Sequence, residues 1–497
     1  MIKKILIANR GEIALRIMRS AREMGIRTVA VFSEADRNAM HVRYADEAVC
    51  IGPAASSQSY LVAQKIIDAA KTTGADAIHP GYGFLSENAD FSDLVTKSGI
   101  IFIGPSGDSM RMMGSKLAAK AAAKKRNIPL VPGTDEAIDD VSKAKKVAKE
   151  IGFPVLIKAS AGGGGKGMRI VDNENHFEEQ MALAVSEATS SFGDGSVFIE
   201  RYVGSPRHIE IQVMGDKHGN VVHLFERECS VQRRHQKVIE EAPSSVLDEK
   251  KRMEMGRCAV EIAKACNYYG AGTVEFLLDE KLNFYFLEMN TRLQVEHPVT
   301  EMITGLDLVK EMIMIADGKK LSFTQEDLKI SGHAMEVRVY AEDPSNNFLP
   351  DIGKLSTYKI PQGNGVRVDD GMEEGMEIPI YYDPMIAKLI THGADRNESI
   401  ERMIRAIDDY EITGVQTTLS FCKFALGHEA FRSGNFDTHF VKKYFTPDKL
   451  VNGDEAEAEL AALLAVRAIQ GRPASANKNE GSSVQSAWKS NRSRLND

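Results

Sequence analysis

The densest chemistry in the chain lies between Thr273 and Pro298, which reads TVEFLLDEKLNFYFLEMNTRLQVEHP. Two apolar, β-branched and aromatic runs, 273–278 and 283–289, flank the polar Asp279, Glu280 and Lys281, which predicts an antiparallel hairpin. If it closes about Lys281 and Leu282, Glu275 faces Glu288 on one side of the ribbon with Cβ atoms roughly 5 Å apart. Two carboxylates so placed repel unless a divalent cation sits between them. With Asn290 they form a hard oxygen set suited to Mg²⁺ or Mn²⁺ bound together with substrate phosphates. Arg292, Gln294, Glu296 and His297 then crowd six residues before Pro298 stops regular structure. The alternative is an exposed edge strand with a charged end.

Other candidates are dispersed. Ser160-Ala-Gly-Gly-Gly-Gly-Lys-Gly-Met168 cannot be an element interior, but its amides could wrap anionic oxygens. It lacks the hydroxyl residue of a Walker A loop. Lys158 and Lys166 bracket its glycines, which favours a phosphate lid over a plain linker. Lys116 sits in the first turn of a strong helix, where it could reach a phosphate. Glu200 ends a strand and could read an adenine edge and a ribose. His208, Gln232, Arg233, Arg234, His235 and Lys237 form a donor-rich cluster in an acidic protein, fit for anion capture or a solvated charge run. Cys229 among them has nothing that marks an activated thiolate. The strand Gly332–Glu342 puts Glu336, Arg338 and Tyr340 on one face. The loop 79–88 holds Tyr82 and Glu87 on glycine hinges.

The elements that must position these groups follow from periodicity. Apolar runs at 2–8 and 28–32 around an amphipathic 11–24 give βαβ spacing, so an α/β start with a parallel sheet is expected. ANRGEIA has one glycine where a dinucleotide fingerprint needs three. Helices are predicted at 115–126, 141–151, 248–267 and 399–410, strands at 154–159 and 196–203, and a hairpin about 216–220. A β-rich region follows residue 332. At 497 residues the chain exceeds one core. Hydrophobic content of 43% without a membrane-length apolar run, and an N-terminus without a signal cleavage site, predict a cytoplasmic protein with no membrane contact. Five cysteines without CxxC pairs argue against zinc or a disulfide framework. A net charge of −8 gives no nucleic-acid footprint.

The motifs IANRGEIA, HPGYGFLSEN, KASAGGGGKGM, ECSVQRRHQK and EMNTRLQVEHPVTE together resemble the biotin carboxylase subunits of biotin-dependent carboxylases, members of the ATP-grasp superfamily. The resemblance implies α/β and α+β architecture: a Rossmann-like domain at 1–114, an ATP-grasp domain at 115–330 with a mobile lid near 131–203, and a β-rich domain at 331–446. It implies nucleotide contacts at Lys116, Lys158, Gly163, Gly164, Gly165, Lys166, Gly167, Glu200, Arg201, Val203, His208, His235 and Leu277. Glu275, Glu288 and Asn290 match metal ligands. Glu296 resembles the base that deprotonates bicarbonate, with Lys237, Arg292, Gln294 and Val295 positioning it, Gln232 beside them, and Arg338 near Tyr82 stabilising the biotin enolate. Arg201 stands where lysine is common in the family. The implied cofactors are ATP, Mg²⁺ or Mn²⁺, bicarbonate and biotin. No AMKM-type lysine turn occurs in the sequence, so biotin is expected on a separate carrier protein, with carboxyltransferase subunits as further partners and a homodimer as the assembly. Rival readings are another carboxyphosphate-forming ATP-grasp ligase, such as half of a carbamoyl-phosphate synthase, and a non-catalytic scaffold. Beyond 446, Asp454 is expected to cap a helix with a stripe at Leu460, Leu463, Leu464 and Ile469. The polar remainder, with Trp488, is expected to be disordered and either a spacer or a docking segment.

Overall fold

In the computed structural model, residues 1–134, 136–138, 140–159, 168–450 and 455–470 are described here. The expected lid residues Gly163, Gly164, Gly165, Lys166 and Gly167, together with Asp454 and Trp488, lie outside them.

The N-terminal part is the expected parallel sheet. Its five strands run in the spatial order Glu47–Gly52, Arg27–Ser33, Lys4–Ile7, Ala77–His79 and Ile101–Phe102. Near-continuous apolar strands suit it because helices such as Gly11–Glu23 and Ala63–Thr73 cover their faces. Strand order reverses between Lys4–Ile7 and Ala77–His79. The carboxyl ends of those two strands therefore open the crevice in which such sheets receive ligands. The loop His79–Asn88 starts there, held by Asn9 Nδ2, which donates to the Pro80 and Tyr82 carbonyls at 2.8 and 2.7 Å. At its end Asn88 caps the helix Ala89–Lys97 by accepting from the Phe91 N–H at 2.8 Å.

Most candidate residues ride on one eight-stranded antiparallel sheet. Its order is Phe284–Asn290, Gly270–Leu278, Arg207–Gly215, Val221–Arg233, Gln236–Ala242, His333–Tyr340, Met385–Gly393 and Val366–Asp370. The strand Val221–Arg233 runs on through Gln232 and Arg233 of the donor-rich cluster. The donor-rich stretch is thereby absorbed into a hairpin whose two turn residues, Arg234 and His235, have φ of 49° and 68°. Left-handed φ at both positions is the twist a two-residue hairpin demands. A separate three-stranded sheet, ordered Met168–Val171, Val155–Ala159 and Val197–Arg201, packs the helices Val141–Ile151 and Phe177–Phe192 into a small core of its own, including Val155, Ile157, Phe177, Met181 and Ile199. Among the described residues no helix is long and apolar enough to cross a membrane. A second compact unit begins at Val451. Within it the helix Glu455–Gln470 leaves Leu460, Leu463 and Leu464 exposed.

Candidate active site

Glu275 and Glu288 do face each other. The hairpin reaches that pairing by a different route from the one expected. Leu278 pairs with Phe284 and Phe276 with Phe286, so the turn closes one residue short of the expected register. A β-bulge between Glu275 and Phe276 then restores the Glu275–Glu288 pairing. Bulges re-aim side chains in this way beside active sites. The turn itself is fixed by Asp279, whose carboxylate accepts from the Lys281 and Asn283 N–H groups at 2.9 and 2.8 Å.

The two carboxylates are unlike. Glu275 is buried and accepts from Asn290 Nδ2 at 2.9 Å and Gln294 Nε2 at 3.0 Å, with His208 Nε2 and Lys237 Nζ each at 3.0 Å. Burial opposes its ionisation, but Lys237 and His208 outweigh burial and hold the carboxyl well below the usual range. Glu288 is exposed to water yet has protein on most sides. Among the described residues no side chain pairs with it, and desolvation followed by the Glu275 charge raises its pKa.

Glu296 lies at the start of the helix His297–Thr304 and is 2% exposed. Its carboxylate bridges Lys237 Nζ at 2.7 Å and Arg338 Nη2 at 3.0 Å. Burial disfavours its charge, but Lys237, Arg338 and Arg227 more than compensate, so it stands ionised well below the usual carboxylate range. Arg338 Nε donates to Glu240 at 2.6 Å. Burial pushes Glu240 up to about 7 despite that contact. Lys237 also binds the Glu210 carboxylate. Arg227, fully buried, is the hub behind them. It donates to Glu210 at 2.6 Å, Gln212 at 2.6 Å, Thr300 at 3.0 Å, Thr273 at 3.1 Å and the Gln294 side-chain oxygen at 2.6 Å. A guanidinium carries five N–H donors, and these five bonds match that number. Gln294 is thus held between Arg227 and Glu275, while Gln232 donates to the Cys229 carbonyl and bonds His208 Nδ1 at 3.0 Å. Cys229 is buried and its thiol pushed well up by burial, which fits the structural reading.

The 79–88 loop joins this site from the parallel sheet. Glu87 accepts from the Thr291 N–H at 2.9 Å and from Arg292 Nε at 2.8 Å, and Arg292 Nη2 donates to the Asn290 side-chain oxygen at 3.0 Å. Tyr82 lies with its ring centroid 5.8 Å from Lys388 Nζ.

The second group of candidates gathers on the small sheet and the helix Lys116–Lys125, which Ser115 caps. Glu200 is clasped by Lys158 at 2.5 Å and by Lys120, one helical turn after Lys116. Burial, then the charge of Lys158, lowers the Lys116 pKa. Arg201 uses its side chain on the Tyr285 hydroxyl at 2.8 Å, and its backbone N–H donates to the Pro132 carbonyl at 2.8 Å. Val203, close to Glu200 in sequence, and Leu277, paired with Tyr285, are half-buried, and His235 is exposed at its turn. Sequence reading passed over Lys120, Glu210, Arg227, Glu240 and Lys388. Their signal was charge inside strands and a helix face that otherwise read as buried: HIEIQ, FERECS, VIEEA, MIAKLI and KLAAK.

A parallel α/β domain, a small separate sheet bearing lysines, and a larger antiparallel sheet ending in opposed carboxylates define an ATP-grasp ligase. Three family models cover nearly the whole chain: biotin carboxylase, N-terminal domain, at residues 1–110; carbamoyl-phosphate synthase L chain, ATP binding domain, at 115–324; and biotin carboxylase C-terminal domain at 336–443. Biotin carboxylase 1 of Bacillus subtilis is 53% identical over 445 residues, 89% of this chain and 99% of that protein. A pyruvate carboxylase subunit of Methanothermobacter thermautotrophicus is 54% identical, covering 89% and 90%. The human mitochondrial propionyl-CoA carboxylase alpha chain is 52% identical over 93% of this chain but only 64% of its own length. The biotin carboxylase–β-γ-ATP complex from Campylobacter jejuni superposes with a TM-score of 0.85 at 49% identity, covering 89% and 99%. The biotin carboxylase domain dimer of Hydrogenobacter thermophilus 2-oxoglutarate carboxylase, with MgADP, ADP and bicarbonate, gives 0.85 at 48%, covering 91% and 100%. The chain belongs to the biotin carboxylase family and is an ATP-dependent ligase that carboxylates biotin.

Proposed function

We propose that the chain carries out the first half-reaction of an acyl-CoA or pyruvate carboxylase, using ATP and bicarbonate to carboxylate biotin that arrives on a separate carrier protein. The observation that carries the reading is the Glu296 carboxylate held between Lys237 and Arg338 at 2.7 and 3.0 Å, beside the Glu275–Glu288 pair. Bicarbonate is a poor electrophile and must be activated. Glu296 is ionised and so ready to take its proton, though its two cations make it a weak base. Bicarbonate oxygens that draw Lys237 and Arg338 to themselves remove that restraint, and the proton affinity of Glu296 rises as substrate settles. Arg292 and Gln294, held by Glu87 and Arg227, hold the anion in line for attack on the γ-phosphate of ATP. ADP leaves, and the resulting carboxyphosphate breaks to phosphate and CO₂ beside the biotin ureido nitrogen, whose proton the phosphate accepts. Arg338 then offsets the enolate charge while the ureido nitrogen attacks the CO₂ carbon, forming the N–C bond of carboxybiotin.

The carboxylates fit a hard dication. Glu288 lacks a cationic partner among the described residues and its ionised form is disfavoured by Glu275, which is the environment a bound divalent ion would relieve. Mg²⁺ or Mn²⁺ held by Glu275, Glu288 and Asn290 would neutralise the β- and γ-phosphate oxygens. Two other donor sets come within 4.8 Å among the described residues, His208–Glu210–Glu275 and Glu210–Cys229–Glu296. Lys237 already serves both, so neither is the ion site proposed. Lys116, Lys158, Lys120 and Glu200, with Arg201, Val203, His208, His235, Leu277 and the glycine lid, form the nucleotide end. Carrier, carboxyltransferase and a second copy of the chain are the partners proposed, and the five free cysteines suit a reducing cytoplasm.

The test is ADP release from ATP, with and without bicarbonate and free biotin. Turnover should need both. A rate indifferent to bicarbonate would overturn the assignment of Glu296, and one indifferent to biotin would overturn the reaction.

A further inference from the structure

The segment Gln294–Glu296 is a short stretch of irregular backbone, yet it must hold its groups within a fraction of an ångström. Its anchor comes from 93 residues away. Lys388, on the strand Met385–Gly393 and fully buried, donates from Nζ to the Val295 carbonyl at 3.0 Å. Glu12 Oε2 lies 3.3 Å and Asp369 Oδ2 3.8 Å from the same nitrogen. An ammonium has three protons; two carboxylates flank it, which leaves a donor for the peptide. A second tie lies alongside. His297 Nδ1 is 2.8 Å from the Gln294 carbonyl oxygen. A carbonyl can only accept, so Nδ1 carries the proton; burial and the Lys388 charge keep the ring neutral. Two successive carbonyls are therefore tied into one buried cluster. Because trans peptides are planar, the N–H groups of Val295 and Glu296 point away from it. Among the described residues neither N–H donates to a protein acceptor.

We infer that Lys388 is a positioning residue for the reaction: it holds the Val295 carbonyl so that the peptides on either side of Val295 present their N–H groups to bicarbonate and Glu296 keeps its aim. The inference rests on the proposed role of Glu296. It assigns to a residue of the C-terminal region, remote in sequence, control over the bicarbonate step alone. Nucleotide binding and background ATP cleavage should be left as they are.

The experiment compares wild type, Glu12→Gln, Glu12→Gln/Lys388→Met and Glu296→Gln in the full chain. The double variant replaces a buried ion pair by a neutral pair of similar volume, a change interiors often tolerate. Glu12→Gln alone should match wild type. The double variant should lose about 10- to 100-fold in kcat/KM for bicarbonate, the range for one charge-assisted hydrogen bond. Its Kd for ATP and its ATP cleavage without bicarbonate should stay within about 2-fold. Equal losses in all three quantities, an unchanged kcat/KM for bicarbonate, or a double variant that fails to fold while Glu12→Gln folds would each overturn the positioning role. If Glu296→Gln keeps wild-type bicarbonate dependence, it is the proposed function that has failed, independently of Lys388.

Discussion

The two ends of the proposed site handle charge differently. Around Glu296 buried ion pairs interlock, Lys237 with Glu210, Glu275 and Glu296, Arg338 with Glu240 and Glu296, Arg227 with Glu210, while burial raises the pKa of Glu336, whose oxygens have no hydrogen-bond partner among the described residues. All of them except Glu296 ride on strands of one sheet. At the proposed nucleotide end Lys120 and Lys158 share the Glu200 carboxylate, burial and then Lys158 lower the Lys116 pKa, and the groups are divided between a small sheet with its own core and the helix Lys116–Lys125, whose Ala119 and Ala123 pack into another. Bicarbonate is small and carries one charge, so its site must be preorganised, and an interlocked buried network gives that geometry. A nucleotide triphosphate brings several charges and a large surface. Lysines divided between two separately packed elements suit a ligand that supplies its own counter-charge.

The largest expected effect breaks the buried network. Glu296→Gln keeps shape and removes the proposed base, so bicarbonate-dependent ADP release should fall by about 10²–10⁴-fold with ATP affinity unchanged. Nucleotide titration and ADP release read the two separately; a lost ATP affinity would join the two ends into one network.

Glu288→Gln comes next. Metal-dependent turnover should fall on the order of 10²-fold. Stability should move the other way. The folded-state pKa of Glu288 is raised, so its contribution favours folding at acidic pH and is lost as pH rises past the unfolded value. The variant should therefore melt above wild type at about pH 8 in chelator, and the difference should vanish near about pH 4. A variant that melts lower at the alkaline pH would show that the opposed carboxylates are not in conflict.

Lys158→Met tests the other end. It should raise the ATP Kd about 10- to 100-fold, as loss of one charge-assisted phosphate contact does, and leave the bicarbonate KM within about 2-fold. Added salt should narrow the gap between the two proteins. Arg201→Lys should be smallest. Its side chain serves Tyr285 rather than the nucleotide, so ATP affinity should shift by less than about 3-fold, with a melting change set by one partly buried hydrogen bond. A loss of affinity of about 30-fold would instead place the guanidinium on the ligand.

How much of this was legible in sequence depends on the range of the interaction involved. Parallel sheet, helices and the 273–290 hairpin follow from local periodicity, and a metal reading of the Glu275–Glu288 pair follows from residue type and register, whereas the roles proposed for Arg292 and Glu296 come only with the family resemblance. Even the facing of Glu275 and Glu288 was readable, although the bulge that produces it was not: a bulge is a compromise between turn closure and the sheet's other partner, Arg207–Gly215. Arg227, Glu240 and Lys388 were invisible as site residues. Each is a charge inside a strand, and what ties it to the candidate site is a partner 67, 98 or 93 positions away. The Glu275 and Glu288 of the sequence are chemically identical. Only the tertiary structure makes one a fixed anion under Lys237 and His208 and leaves the other exposed and without a cationic partner among the described residues, because burial and long-range charge, rather than residue type, set the proton affinity.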